Sequence, residues 1–269
     1  MPWLPRPCGA SIRYSVKGSG VPLLLLAPGG MRSCLPNWAS QPIDPWSSLP
    51  LDRFQLIAID QRSAMPAVSP GASHASIERG DGWHTFRDDQ LALLDHLGLA
   101  RCHLLGSCIG PSFALRLLRD APSRFGAAVL MQPIGLARHT SEPGHAWQGL
   151  NTAATSHWFG GWAKEMIRHS LATDEALQEL HASMFGGRDF VFSVTREEVK
   201  QVQAPLLVLM GCDIYHPSEI SREISRLAPH AELIEEWRNS GPSAVEAATK
   251  RIEEFLLHNH ARSYCMNEL

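Results

Sequence analysis

Short apolar runs alternate with amphipathic stretches along most of the chain. Val21–Ala27 is the first run and stops at Pro28-Gly29-Gly30; Phe54–Asp60 (FQLIAID) is the second and Cys102–Leu105 the third. Ala127–Gln132, Leu206–Met210 and Ala231–Trp237 follow as a fourth, fifth and sixth. Runs this short, apolar at consecutive positions, suit central parallel strands buried on both faces. Helical patterns lie between them. Thr85–Leu97 carries Leu91, Leu94 and Leu97 and ends at Gly98, a residue suited to a helix C-terminus. Ile109–Arg119, Ser218–Leu227 and Ala244–His258 are the other helices that this pattern predicts. The alternation predicts an α/β fold, a mostly parallel central sheet flanked by helices and joined by right-handed crossovers.

One segment breaks the rhythm. From Ala137 to Val199 no strand run occurs, and a loop of that length without structure of its own is uncommon. The expectation is an α/β core of residues 1–136 and 200–269 with a helical cap inserted over 137–199. The cap holds Trp147, Trp158, Phe159, Trp162, Phe185 and Phe190, which either form its own small core or line an apolar pocket.

Composition narrows the function classes. At 269 residues, 44% apolar and 19% charged, the chain has the length for one large domain or two small ones, and a single α/β core of that size needs no disulfide or metal staple. The formal charge of −3 and the lack of any Lys/Arg run argue against a nucleic-acid partner. The apolar stretch Val21–Pro28 falls far short of the roughly 20 residues of a membrane span, so no membrane partner is expected. A proline-rich start, Met1–Pro7, lacks the apolar heart of a signal peptide, and a cytoplasmic location is expected. Cys8, Cys34, Cys102, Cys108, Cys212 and Cys265 form no C-x-x-C pair, and the histidines no H-x-x-x-H. Reduced thiols, no metal site and no cofactor are therefore expected. Oligomeric state is not legible.

The sharpest local feature is Leu104-Leu105-Gly106-Ser107-Cys108-Ile109-Gly110, where a strand run meets a helical pattern. A G-x-nucleophile-x-G turn at such a junction raises its middle side chain above the sheet edge, and it needs small flanking residues. Cys108 holds that position, at a helix start that favours the thiolate. The amide of Ile109 would face a developing oxyanion. Ser107, taken as nucleophile, would need a small residue where Leu105 stands.

With this turn in view, the chain resembles the α/β-hydrolase fold family over almost its whole length. The resemblance rests on Pro28-Gly29-Gly30-Met31, Asp60-Gln61-Arg62, Asp88–Gly98, the turn around Cys108, and Gly211-Cys212-Asp213-Ile214-Tyr215-His216-Pro217. A cysteine at the nucleophile position resembles members with a G-x-C-x-G turn, such as dienelactone hydrolases and polyhydroxyalkanoate synthases. The resemblance implies a second oxyanion amide from Gly30 or Met31, and Asp213 as the acid of a catalytic triad; Asp213 read by itself also suits a loop turn. It implies a histidine after the last strand as well, and there the chain departs: the loop reads Arg238-Asn239-Ser240-Gly241-Pro242. His258 and His260 lie too far along the last helix and are expected at the surface.

Two repairs are open. His216, three residues after Asp213, would pair with Cys108 while Asp213 orients its ring, or else it stands at a pocket wall. Alternatively Cys108 acts without a histidine, a thiol being partly ionised at neutral pH. Trp38, Trp158 and Trp162 are the candidate contacts for a small apolar or aromatic substrate, although the proline-rich loop around Trp38 and Trp46 also suits a rigid surface turn. His84 suits a helix cap; His139, His145 and His157 have no paired spacing. The leading expectation is a cofactor-free enzyme that attacks an ester, lactone or thioester through Cys108, ending in hydrolysis or acyl transfer. Lyase chemistry and non-catalytic binding of a small molecule are the alternatives that the missing histidine raises.

Overall fold

The computed structural model describes residues 2–64, 75–135, 155–186 and 190–265, of which 155–158 and 262–265 are described as backbone only. Eight strands form one sheet: β1 (Trp3–Pro5), β2 (Ser11–Lys17), β3 (Val21–Leu26), β4 (Phe54–Ile59), β5 (Cys102–Ser107), β6 (Phe125–Met131), β7 (Leu206–Leu209) and β8 (Ala231–Ile234). Their order is β1-β2-β4-β3-β5-β6-β7-β8. β1 and β2 pair antiparallel with their neighbours; from β4 to β8 every pairing is parallel.

Strand alternation explains why the central runs are apolar throughout. Leu24, Leu26, Ile57, Leu104, Ala128 and Val208 point into one core. Their neighbours Leu23, Leu25, Leu56, Leu105, Val129 and Leu207 point into the other. Side chains alternate between faces along a strand, so a sheet covered on both sides favours apolar residues at successive positions. The helices, in chain order, are α1 (Pro45–Ser48), α2 (Trp83–His96), α3 (Gly110–Asp120), α4 (Thr155–Arg168), α5 (Asp174–Phe185), α6 (Arg196–Gln201), α7 (Ser218–Leu227) and α8 (Pro242–Cys265). Residues of α2 to α5 and of α7 share the first core; the inward face of α8 (Ala248, Ile252, Phe255, Leu256) fills the second. Among the described residues no helix is long and apolar enough to cross a membrane.

Three differences from the expected elements are informative. β1 and β2 lie outside the predicted runs because β2 interleaves polar residues: Arg13 is buried there by its ion pair with Asp60, at 2.6 Å. The last strand stops at Ile234, since Trp237 turns back to donate its indole N–H to the Met210 carbonyl at 2.8 Å. The last helix runs on to Cys265, and along it His258 is exposed while His260 is half-buried against the His103 ring. Between β6 and β7 the described residues form α4, α5 and α6 and no strand.

Candidate active site

The turn between β5 and α3 carries Cys108 at φ +62°, in the left-handed region. For a residue with a side chain that conformation costs about 1–2 kcal/mol and must be held by its surroundings. The Cys108 amide donates to the Met131 carbonyl at 3.0 Å, and the Cys108 carbonyl accepts from the Ile134 amide at 3.3 Å. Two glycines make the turn sterically feasible. A Cβ on Gly106 would stand 2.5 Å from the Gly110 carbonyl carbon, and one on Gly110 only 2.2 Å from the Leu26 oxygen. Ser107 is fully buried and donates to Gln41 Oε1 at 3.3 Å, whereas Cys108 is half-exposed.

The loop after β7 brings Asp213 and His216 to the same edge of the sheet. Asp213 Oδ1 accepts from the backbone amides of Tyr215 (2.9 Å) and His216 (3.0 Å) and from His216 Nδ1 (2.7 Å). Gly211 permits this tight reversal, because a Cβ there would lie 2.3 Å from the His216 carbonyl oxygen. The other ring nitrogen, Nε2, is buried and has no hydrogen-bond partner with good geometry among the described residues. His216 and Cys108 are nonetheless close enough for each to favour the charged form of the other. Such loose alignment is common in unliganded sites and does not disqualify a proton-transfer pair.

Burial opposes ionisation of Cys108 most strongly. The His216 imidazolium, aided by the amides of Gly29 and Ile109, outweighs it and holds the thiol below its ordinary value. Burial likewise opposes charge on His216, yet the Cys108 thiolate and the Asp213 carboxylate carry the imidazole up to about 9. Asp213 lies well below the usual carboxylate range: its His216 contacts and the two loop amides overcome burial. The other buried cysteines behave oppositely. Burial pushes both Cys34 and Cys102 up to about 12, so they stay neutral thiols.

Pro28–Met31 forms the facing wall. Gly29 (φ +116°) and Gly30 (φ +57°) turn the chain into a 3-10 turn over Gly30–Arg32. Asn37 stitches that turn by donating from Nδ2 to the Pro28 and Arg32 carbonyls, both at 2.8 Å. Amides opening a helical turn have no partner inside it, which leaves those of Gly30 and Met31 without one there. Asp60-Gln61-Arg62 serves the scaffold instead: Arg62 forks onto Asp89 at 2.7 and 2.8 Å.

The two aromatic candidates with described side chains are fully buried. Trp38 is fully buried in the core beneath α8. Trp162 is also fully buried and donates its indole N–H to the Ser63 carbonyl at 2.9 Å. The Trp158 and His157 side chains, and all of His139, His145 and Trp147, lie outside the described residues. His84 is exposed at the start of α2. A cavity of about 1260 Å³ opens at the opposite edge of the sheet, between Arg101, Phe125, Pro205 and Ala231, and touches none of these site residues.

Sequence reading overlooked Arg238 and Gln132. Arg238 Nη1 donates to Asp213 Oδ2 at 3.0 Å and to Gln132 Oε1. Gln132 Nε2 in turn donates to Gln41 Oε1 at 3.3 Å. Arg238 was visible only as the residue standing where a histidine was sought.

Comparison with known proteins gives the same frame. The family model described as the alpha/beta hydrolase fold matches residues 22–201. A curated relative, the dihydrolipoyllysine-residue acetyltransferase component of an acetoin cleaving system from Pseudomonas putida, is 28% identical over 191 residues. That match covers 64% of this chain and 48% of the relative, so the chain spans about half the relative's length. Among solved structures, a hydrolase from Pseudomonas aeruginosa superposes with TM-score 0.63 at 20% identity, covering 96% of this chain and 97% of that one. A meta-cleavage product hydrolase from Pseudomonas fluorescens gives TM-score 0.62 at 17% identity, covering 95% and 96%. An N-acyl homoserine lactone degrading enzyme gives 0.58 at 22% identity, covering 87% and 90%.

Proposed function

Because the chain belongs to the α/β-hydrolase family, we propose that it is an enzyme of acyl chemistry with Cys108 as nucleophile, His216 as base and Asp213 as the acid that orients it. The observation that carries this reading is the 2.7 Å contact between His216 Nδ1 and Asp213 beside a cysteine held at φ +62°. The reason to consider a lyase or a mere binder is a missing histidine, and His216 answers it from another loop. The amides of Ile109 and of Gly30 or Met31 would hold the oxyanion. The division into a core of residues 1–136 and 200–269 and a cap over 137–199 belongs to the same reading. It is supported by the described residues between β6 and β7, which form three helices and no strand.

The resting pair is a thiolate and an imidazolium. The thiolate attacks the carbonyl carbon of an ester, lactone or thioester, and the carbonyl electrons move onto oxygen. As the tetrahedral species collapses, the leaving oxygen or sulfur takes the proton from His216 Nε2. Neutral His216 then accepts a proton from the incoming water, alcohol or thiol, which attacks the acyl-cysteine and releases the Cys108 thiolate. The acetyltransferase relative favours an acceptor other than water, and acyl transfer is the second reading kept here. The substrate side is proposed as a small apolar or aromatic acyl group.

With an activated aryl ester or a simple thioester, wild type should give a covalent adduct by intact mass, mapped to Cys108. Cys108→Ala should lose adduct and turnover together, and full turnover in that variant overturns the proposal. Dependence of kcat/KM on pH should rise through the lowered thiol ionisation and fall as the imidazolium deprotonates near 9.

A further inference from the structure

The loop after β8 places a guanidinium where relatives of this fold are expected to keep their base. Arginine stays protonated at any working pH and cannot serve as a base. Its contacts suggest another task. Asp213 Oδ1 is saturated by two amides and His216 Nδ1, and Oδ2 accepts from Arg238. The same Nη1 also reaches Gln132 Oε1. Gln132 is fully buried and held at φ +47°, with its amide donating to the Leu209 carbonyl at 2.9 Å. Its Nε2 continues to Gln41 Oε1, which also accepts from Ser107, the residue before the nucleophile.

We infer that Arg238 is a positioning residue: anchored by Gln132, it holds the free oxygen of Asp213 and so fixes the rotation of the carboxylate that aims His216 at Cys108. A carboxylate three residues before its histidine sits on the same irregular loop, and that loop alone leaves Oδ2 free to swing. The guanidinium supplies a second point of attachment from the loop after the neighbouring strand β8, and it is anchored in turn on Gln132 at the end of β6. It also adds a positive charge behind the acid. Three charged groups then stand in a row, Arg238, Asp213 and His216, with Cys108 facing the last of them. This assignment rests on the Cys108–His216–Asp213 reading proposed above.

The test reads Cys108 directly. The rate of alkylation by iodoacetamide, resolved to the Cys108 peptide by mass spectrometry, is followed against pH in wild type, Arg238→Met, Arg238→Lys and His216→Ala. Exposed Cys8 and Cys212 serve as internal controls. Arg238→Met should move the Cys108 titration midpoint upward by about half a pH unit or more, lowering the rate at neutral pH roughly threefold. Arg238→Lys, which keeps the charge, should restore at least half of that shift. Arg238 is half-exposed, and circular dichroism and melting curves confirm that the variants stay folded. A purely structural role would leave the midpoint in place. An Arg238→Met profile that overlays wild type overturns the inference, as does a Lys variant that overlays Met. If His216→Ala leaves the profile unmoved, the catalytic reading itself fails. A shift there with none in Arg238→Met removes only the role of Arg238.

Discussion

A methyl group on Gly110 has nowhere to go. The nearest atom, the Leu26 carbonyl oxygen at 2.2 Å, belongs to the backbone of a central strand and cannot yield as a side chain would. Gly110→Ala should therefore destabilise the protein by about 2 kcal/mol or more in urea titrations, and disturb the turn around Cys108 as well. Gly160→Ala is the matching control, because no atom lies within 4 Å of its added Cβ inside α4. It should stabilise by roughly 0.5–1 kcal/mol through helix propensity alone. Equal effects from the two substitutions would refute the steric account. The same comparison explains what could be read from the chain at this scale. The turn around Cys108 is legible because close approach of strand and helix demands small residues at fixed offsets. His216 is legible by spacing alone, since Asp213 lies within one loop of it. Arg238 is not, because its role depends on where the ends of β6 and β8 meet, 106 residues apart in the chain.

At the scale of elements, β5 buries a histidine at the end opposite to Cys108. His103 is almost completely buried, its Nδ1 has no partner among the described residues, and its ring meets His260 edge-on at 5.6 Å. Gly126 on β6 makes room for it, since a Cβ there would lie 2.5 Å from the ring. Burial first, then the nearby charges of His260 and Arg101, push the imidazole down to about 4. In the unfolded chain the same group titrates near 6.5. Between these values the unfolded state binds the extra proton, so stability falls as pH drops from about 6.5 to about 4 and levels off below. The contribution is at most roughly 3 kcal/mol at the acid end. His103→Leu should flatten that part of the stability–pH curve, measured by urea titration at several pH values. An unchanged slope would place the acid sensitivity elsewhere. Elements of this kind are legible where both faces are buried and the apolar run is unbroken. β2 is not, because Arg13 in it pairs with an aspartate 47 residues away.

For the whole molecule, the decisive feature is that the described helices between β6 and β7 share one core with the central layer. Phe159, Trp162 and Met166 of α4, with Leu177, Leu180 and Phe185 of α5, belong to the same cluster as Trp83, Phe86 and Phe113 of the central layer. Polar ties follow the same boundary. Arg32, on the turn that faces Cys108, pairs with Glu165 at 2.8 Å, and the Ile77 amide donates to the Leu171 carbonyl at 2.7 Å. Trp162 is the largest of these links, joining packing and a hydrogen bond to Ser63. Trp162→Phe keeps most of the ring volume but strands the buried Ser63 carbonyl, and should cost about 1–3 kcal/mol. Trp162→Ala should cost about 3–5 kcal/mol, because it opens a cavity across the joint. If Trp162 acts by packing, KM for an ester substrate should stay unchanged in Trp162→Phe while the melting temperature falls. A raised KM at unchanged stability would make it a substrate contact instead. The sequence offered both readings of these aromatics, since a tryptophan at helical spacing looks the same whether its ring meets a pocket or a neighbouring helix. Burial favours the second for Trp162, and with it helices whose position is set by the core that also carries Cys108.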